Sequence, residues 1–344
     1  MIRRYRRELS VAFVYVCLLV VLAVQSPRFY QGSQLGNILV QSAPVLVAAV
    51  GMTLVILARQ IDISIGSQLS LCAVAAGLLA RSGVPMFAVT AATMAVGAAC
   101  GALNGCFIAG LGLPSIVVTL ATMAVLKQGL LWWREGAFVH NLPSDFQWFG
   151  LNRGPGPAPL PQDHTATERV LNALSLGLGR GQWLILLAAL VVFLLFAWGM
   201  RYLAGGRAVY ATGSDPEAAR LAGIRPRRVV FAVFVFMGAL TGLAALLSAV
   251  CLPQVDPKQG EGFELQVIAA VVVGGVAVSG GRGTLIGPLF GVLLLGTIKS
   301  ALVFLGTEAQ WEKAIQGAIV LIAVASDAIR LRQRKDRGTG VAVS

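Results

Sequence analysis

The feature that most constrains this chain is its succession of long apolar runs, such as "WLILLAALVVFLLFAWGM" at Trp183–Met200 and "VVFAVFVFMGALTGLAALLSAVCL" at Val229–Leu252. A helix needs roughly 20 apolar residues to cross the hydrocarbon core. Irregular backbone cannot face lipid, because each unpaired N–H or C=O there costs several kcal/mol. The runs do not alternate as barrel strands do, so they read as helices. Composition agrees: 57% of the 344 residues are hydrophobic and 12% charged, against about a quarter charged in soluble domains. The expected class is an all-α polytopic membrane protein.

Spans are expected at Ser10 to Ala23, Ile38 to Leu57, Ile65 to Leu79, Pro85 to Gly110, Ile116 to Trp133 and Trp183 to Met200. Four more are expected at Val229 to Leu252, Leu265 to Val278, Thr284 to Leu305 and Ile315 to Ile329. The start, "MIRRYRRELSVAFVYVCLLVVLAVQS", imitates a signal peptide but lacks a small-residue cleavage site, and reads as an uncleaved first helix. Charge fixes the orientation. Arg3, Arg4, Arg6 and Arg7 precede the first span, and Arg330, Arg332, Arg334, Lys335 and Arg337 follow the last. Arg201, Arg207, Arg220, Arg225, Arg227 and Arg228 crowd the loop after the sixth span. An even count of about ten spans puts all three clusters, and both termini, on the cytoplasmic side. The net charge of +12 therefore reads as topology rather than as a nucleic-acid surface.

One transmembrane permease-like domain, 1–344, follows, with an external loop at 134–182, a cytoplasmic loop at 201–228 and a basic cytoplasmic tail at 330–344. The external loop contains "FGLNRGPGPAPLPQDH", too rich in Pro and Gly for a regular helix, and "HTATERVLNALSLGL", which reads as a short surface helix. His140 and His164 lie in it, a pair without a third ligand and so a poor metal site. Cys17, Cys72, Cys100, Cys106 and Cys251 fall in apolar runs at no metal-like spacing and read as packing residues.

Within the cytoplasmic loop, "ATGSDPEAARLAGIRPRR" (Ala211–Arg228) is an island of soluble helix. Asp215 before Pro216 is a helix start, with Ser214 and Glu217 an alternative capping-box register, and Gly223 a left-handed stop. A helix of about two turns is marginal alone in water and needs a docking surface. That surface is either its own protein and the lipid headgroups, or a cytoplasmic partner.

The stretch Gly206–Ile224, which reads "VYATGSDPEAARLAGI" from Val209 onward, closely resembles the cytoplasmic loop of permease subunits of sugar ABC importers, the ribose, xylose, arabinose and rhamnose branch. "GMTLVILARQIDISIGSQLSL", "GALNGCFIAGLGLPSIVVTLATMAVLKQGL" and "ELQVIAAVVVGGVAVSGGRGTLIGPLFGVLLLG" resemble three further stretches of that family. Together they cover most of Gly51 to Gly306, in order and at family spacing. The resemblance implies the ABC importer permease fold, with internal pseudo-symmetry between two sets of spans. It implies two permease subunits as a homodimer or heterodimer, two ATP-binding subunits inside and a periplasmic sugar-binding protein outside. It makes Gly213, Asp215, Glu217, Ala218, Ala219, Arg220, Ala222 and Gly223 the coupling residues. No cofactor is implied on this chain; ATP and Mg belong to the partner ATPase, and the location is the bacterial inner membrane.

The chain departs from the family before Asp62, where Arg59 and Gln60 replace the usual small residues. Two readings are open: Arg59 pairs with Asp62 at an i, i+3 spacing, or it sits at the cytoplasmic interface. "GGRGTLIG" at Gly280–Gly287 tempts a phosphate-loop reading, but Pro288 follows where a Lys and a Ser or Thr are needed. The glycines read instead as a tight turn with close packing, and no enzyme site is expected. Asn104 and Gln128 offer hydrogen bonds to sugar hydroxyls, and Lys299 either lines the path or snorkels outward. Lys127 stands where the family often has a basic residue. An ion-coupled carrier would need carboxylates at mid-membrane; Asp62, Asp327 and Glu264 all read as lying near span ends. For substrate, the stretch Leu113–Gly150 is most similar to rhamnose-type permeases, with the autoinducer-2 branch next.

Overall fold

The computed structural model describes residues 32–151 and 178–304 throughout and residues 12–22 and 311–325 in part. Its helices are α1 (Gly32–Leu57), α2 (Ile65–Arg81), α3 (Met86–Gly105), α4 (Ser115–Arg134), α5 (Arg180–Tyr202), α6 (Ala204–Ser214), α7 (Pro216–Leu221), α8 (Pro226–Ala249), α9 (Phe263–Val273) and α10 (Ile286–Phe304). The described residues in 12–22 and 311–325 are helical too; the first group lies inside the expected first span, and the second begins at Trp311, before the expected start of the last span at Ile315. Among the described residues, five helices are long and apolar enough to cross a membrane: Gln34–Leu57, Met86–Gly110, Ser115–Arg134, Arg180–Tyr202 and Pro226–Ala249. Helices α2, α9 and α10 are apolar but shorter. No strand occurs among the described residues, only one isolated bridge between Val139 and Val255.

The core is helix on helix, with α8 at its centre against α1, α2 and α3. Apolar side chains gain nothing by leaving lipid for one another, so close backbone approach replaces the hydrophobic drive. Gly97 of α3 and Gly238 of α8 show this: a Cβ on either would overlap the other's carbonyl oxygen. Larger residues there would separate the two helices.

Helix α9 ends at Val273, five residues short of the expected Val278. Gly275 takes φ 89°, and the Gly275 and Val276 amides return to the carbonyls of Val272 and Val271, the usual left-handed stop. Hydropathy did not register it because Val276, Ala277 and Val278 are as apolar as the helix. Helix α1 ends in the same way at Leu57, but the left-handed residue is Arg59, with φ 64°. Its amide donates to Ile56 and that of Gln60 to Val55. The chain then runs without helix to Ser64, so in the segment reading "LVILARQIDISIGSQ" a non-helical loop, 58–64, separates α1 from α2.

Candidate functional site

The loop 201–228 contains two helices rather than one. After Leu203, which is extended, α6 runs over Ala204–Ser214 and α7 over Pro216–Leu221. The junction is Asp215. Its Oδ1 accepts the amides of Glu217 (2.9 Å) and Ala218 (3.2 Å), and Pro216 occupies the first turn, where its missing N–H costs nothing. The alternative register is not used, because Ser214 lies against Gly281 and Glu217 pairs with Arg220 at 3.0 Å. Gly223, at φ 81°, ends α7 as expected; its amide donates to Arg220 and that of Ile224 to Ala219.

The two helices are seated on the body by backbone contacts. A Cβ on Gly213 would overlap the carbonyl oxygen of Leu57, the same oxygen that accepts the Gly281 amide at 2.9 Å. The Tyr210 hydroxyl donates to the Gly283 carbonyl at 2.8 Å. Gly280, Gly281 and Gly283 all take positive φ, so the glycine run is the tight turn expected, folded against α6. On α7, Ala219 faces the body at 3% exposure, while Leu221 stands out at 87%. Glu217, Ala218, Arg220, Ala222 and Gly223 are exposed as well. Of the expected coupling residues, Gly213 and Ala219 therefore seat the helix, Asp215 caps it, and the others form its outer face.

The loop between α1 and α2 carries a buried polar junction that joins four segments. Asp62, fully buried, accepts from the Ser64 amide at 2.9 Å and from the Ser64 hydroxyl. That hydroxyl in turn accepts from Gln68 Nε2 at 2.7 Å and Asn104 Nδ2 at 2.9 Å. Thr122 donates to Asn104 Oδ1 at 2.7 Å, and the Ile61 amide donates to Ser115 Oγ. The loop 58–64 is thereby tied to α2, α3 and α4, and two of its freed amides, those of Ile61 and Ser64, find side-chain acceptors. One reading changes. Asp62 lies near the ends of two helices, between α1 and α2, as expected, but it is buried and its partners are Ser64 and Gln68 rather than Arg59. The i, i+3 pairing presupposes helix, and residues 59–62 are not helical. Asn104 is wholly buried within this junction. The polar residues Ser64, Gln68 and Thr122 were the available signal, each set in an otherwise apolar run.

Lys127 finds its partner in Glu261, at 3.0 Å and with both side chains about half exposed. The Lys127 ammonium beside it holds the Glu261 carboxyl below the usual carboxylate range. Gln128 and Lys299 are exposed on α4 and α10. His140 is exposed in the loop after α4; His164, the expected helix at "HTATERVLNALSLGL", Asp327 and the tail lie outside the described residues. Among the described residues, no group of three or more His, Cys, Asp or Glu is placed to hold a metal ion.

Residues 34–324 match the family described as branched-chain amino acid transport system / permease component. Among curated proteins, the chain is similar to the autoinducer 2 import system permease protein LsrC of Enterobacter sp. (strain 638), with 32% identity over 96% of this chain and 89% of that one. It is similar to the ribose import permease protein RbsC of Escherichia coli (strain K12), with 32% identity over 91% and 92% of the two chains. The LsrC of Klebsiella pneumoniae (strain ATCC 700721 / MGH 78578) is 33% identical over 95% and 88%. No solved structure matches. The capped surface helix, the loop between α1 and α2 and the glycine turn that packs against both thus sit in a chain that belongs to the branched-chain amino acid transport system / permease component family.

Proposed function

We propose that this chain is the membrane-spanning subunit of an ATP-driven importer, passing a monosaccharide from an external binding protein across the inner membrane while separate subunits hydrolyse ATP. One observation carries the reading: α7 is seated by Ala219, and α6 before it by Gly213, yet α7 presents Glu217, Ala218, Arg220 and Leu221 outward. A marginal six-residue helix with an exposed leucine at its end needs a cover. An ATPase subunit supplies one and gains a lever on α5 and α8. The ribose and autoinducer 2 import permeases among its relatives support the same class.

In the full reading the chain is one domain of about ten spans related by internal pseudo-symmetry, with both termini inside. The loop 134–182 faces the binding protein, and a second permease subunit completes the path. Gln128 and Lys299 remain candidates for that path, with Asn104 contributing through the junction it helps to hold. Rhamnose is the favoured substrate, from the likeness of Leu113–Gly150 to rhamnose-type permeases; autoinducer 2 is the second reading, favoured by the LsrC relatives.

The test is uptake into vesicles containing the permease, its ATP-binding subunit and its binding protein, with labelled rhamnose, ribose and autoinducer 2. Uptake that needs internal ATP and the binding protein is expected, with rhamnose preferred. Uptake driven by an ion gradient without ATP would overturn the importer reading, and preference for another solute would replace rhamnose alone.

A further inference from the structure

Beside α7 a cavity of about 380 Å³ opens between the end of α1, the turn before α4, the loop helices and the start of α8. Arg59, Gln60, Pro114, Thr212, Pro216 and Arg227 line it together with apolar residues of the stretch between α3 and α4 and of α8, and no acidic residue is among the described residues that line it. Four features give the cavity one sign. Arg59 and Arg227 are exposed and make no salt bridge among the described residues. Two long helices begin at its rim, α4 after Pro114 and α8 at Pro226, and neither has a side-chain cap or an acidic residue in its first turn. Such ends carry partial positive charge and unpaired N–H groups. Thr212 is 2% exposed, and its hydroxyl has no hydrogen-bond partner.

Arg59 adds an argument from strain. It occupies the left-handed stop of α1 at φ 64°, a conformation that glycine takes freely and an L side chain pays for. Backbone strain of this kind persists where the side chain does something that offsets it. Here that side chain lines a cationic cavity.

We propose that the cavity is a socket for a carboxylate side chain of the ATP-binding subunit, gripped by Arg59 and Arg227. The inference rests on the importer reading. Pro216 is both the first residue of α7 and part of the cavity wall, so a protein that covers α7 also covers the mouth. Leu221, exposed at the other end of α7, favours a protein cover over a lipid phosphate. The socket then fixes the rotation of the partner about α7, which a single short helix alone cannot do.

The experiment measures the dissociation constant of the ATP-binding subunit for the permease in nanodiscs of neutral phosphatidylcholine. Arg59→Glu and Arg227→Glu are each expected to weaken binding about tenfold, because a charge facing its own sign costs on the order of 1.4 kcal/mol or more. Arg59→Gly is expected to weaken binding too, while its thermal unfolding temperature holds or rises as the strain at φ 64° is relieved. That variant separates loss of binding from loss of fold. Wild-type affinity in both reversals overturns the socket. So does an Arg59 or Arg227 effect that arises only in discs containing anionic phosphatidylglycerol, which assigns the cavity to a lipid headgroup. Ala218→Trp is the control for the reading beneath: if it abolishes binding while the reversals do not, the socket alone fails. If none of the variants weakens binding, the socket and the coupling role of α7 fail together.

Discussion

The amide of Gly281 donates to the carbonyl of Leu57 at 2.9 Å, and Gly213 packs on that same oxygen. The end of α1, the loop helix α6 and the glycine turn before α10 thus meet at one backbone atom. The loop thus bears on the end of α1 backbone to backbone, with no side chain between them.

Gly213→Ala tests this seat. Its Cβ would strike the Leu57 carbonyl oxygen, and backbone cannot rotate away as a side chain can. The expected cost is about 1–3 kcal/mol, read as a lower unfolding temperature of the detergent-solubilised permease. An unchanged unfolding temperature would mean that α6 is not anchored there.

Two adjacent alanines on α7 are expected to fail differently. Ala219 faces the body and Ala218 faces outward. Ala219→Trp therefore lowers the stability of the permease itself. Ala218→Trp leaves stability unchanged and blocks recovery of the ATP-binding subunit in a pull-down. Equal stability of the two variants would contradict the orientation of the helix.

The Ser64 hydroxyl is the hub of the buried junction, donating to Asp62 and accepting from Gln68 and Asn104. Ser64→Ala leaves buried donors and a carboxylate short of partners, each such loss costing about 1–3 kcal/mol. Thr122→Val, at the half-buried edge, is expected to cost less, about 1 kcal/mol. Thermal unfolding of both variants checks the order, and a larger loss at Thr122 would contradict it.

The Lys127–Glu261 pair gives a pH test. The folded carboxyl lies below its ordinary range, so its contribution is present above the unfolded pKa and is lost as pH falls through the folded value. Both side chains are about half exposed, and solvent screening holds the pair to less than about 1 kcal/mol. Glu261→Gln is expected to lower the unfolding temperature slightly at neutral pH and not at all in acid. A difference that grows in acid would reverse the sign.

Local chemistry was legible in the sequence; contacts across the fold were not. Asp215 before Pro216 and the stop at Gly223 need only their neighbours, and both formed as read. Most of the long helices among the described residues lie where hydropathy put them, because lipid leaves helix as the backbone that satisfies its own polar groups. Helix α6 went unread because Ala204–Ser214 has weak helix formers and the adjacent glycines Gly205 and Gly206, and its order comes from Leu57, Gly281 and Gly283. The same holds for Asp62, whose partners at Ser64 and Gln68 required knowing that residues 58–64 unwind. Which face of α7 turns inward depended on the body it rests upon, so Ala219 was read as a partner contact when it packs at home.

The central claim is that the outer face of α7 meets an ATP-binding subunit, and site-specific photo-crosslinking from position 221 tests it most directly. Leu221 is 87% exposed, so a photoreactive residue there leaves the permease body untouched. In membranes that contain the whole importer, the account predicts one dominant crosslink, to the ATP-binding subunit, with weaker capture after Ala218→Trp. Crosslinks confined to lipid or to the permease itself, with transport intact, would contradict it.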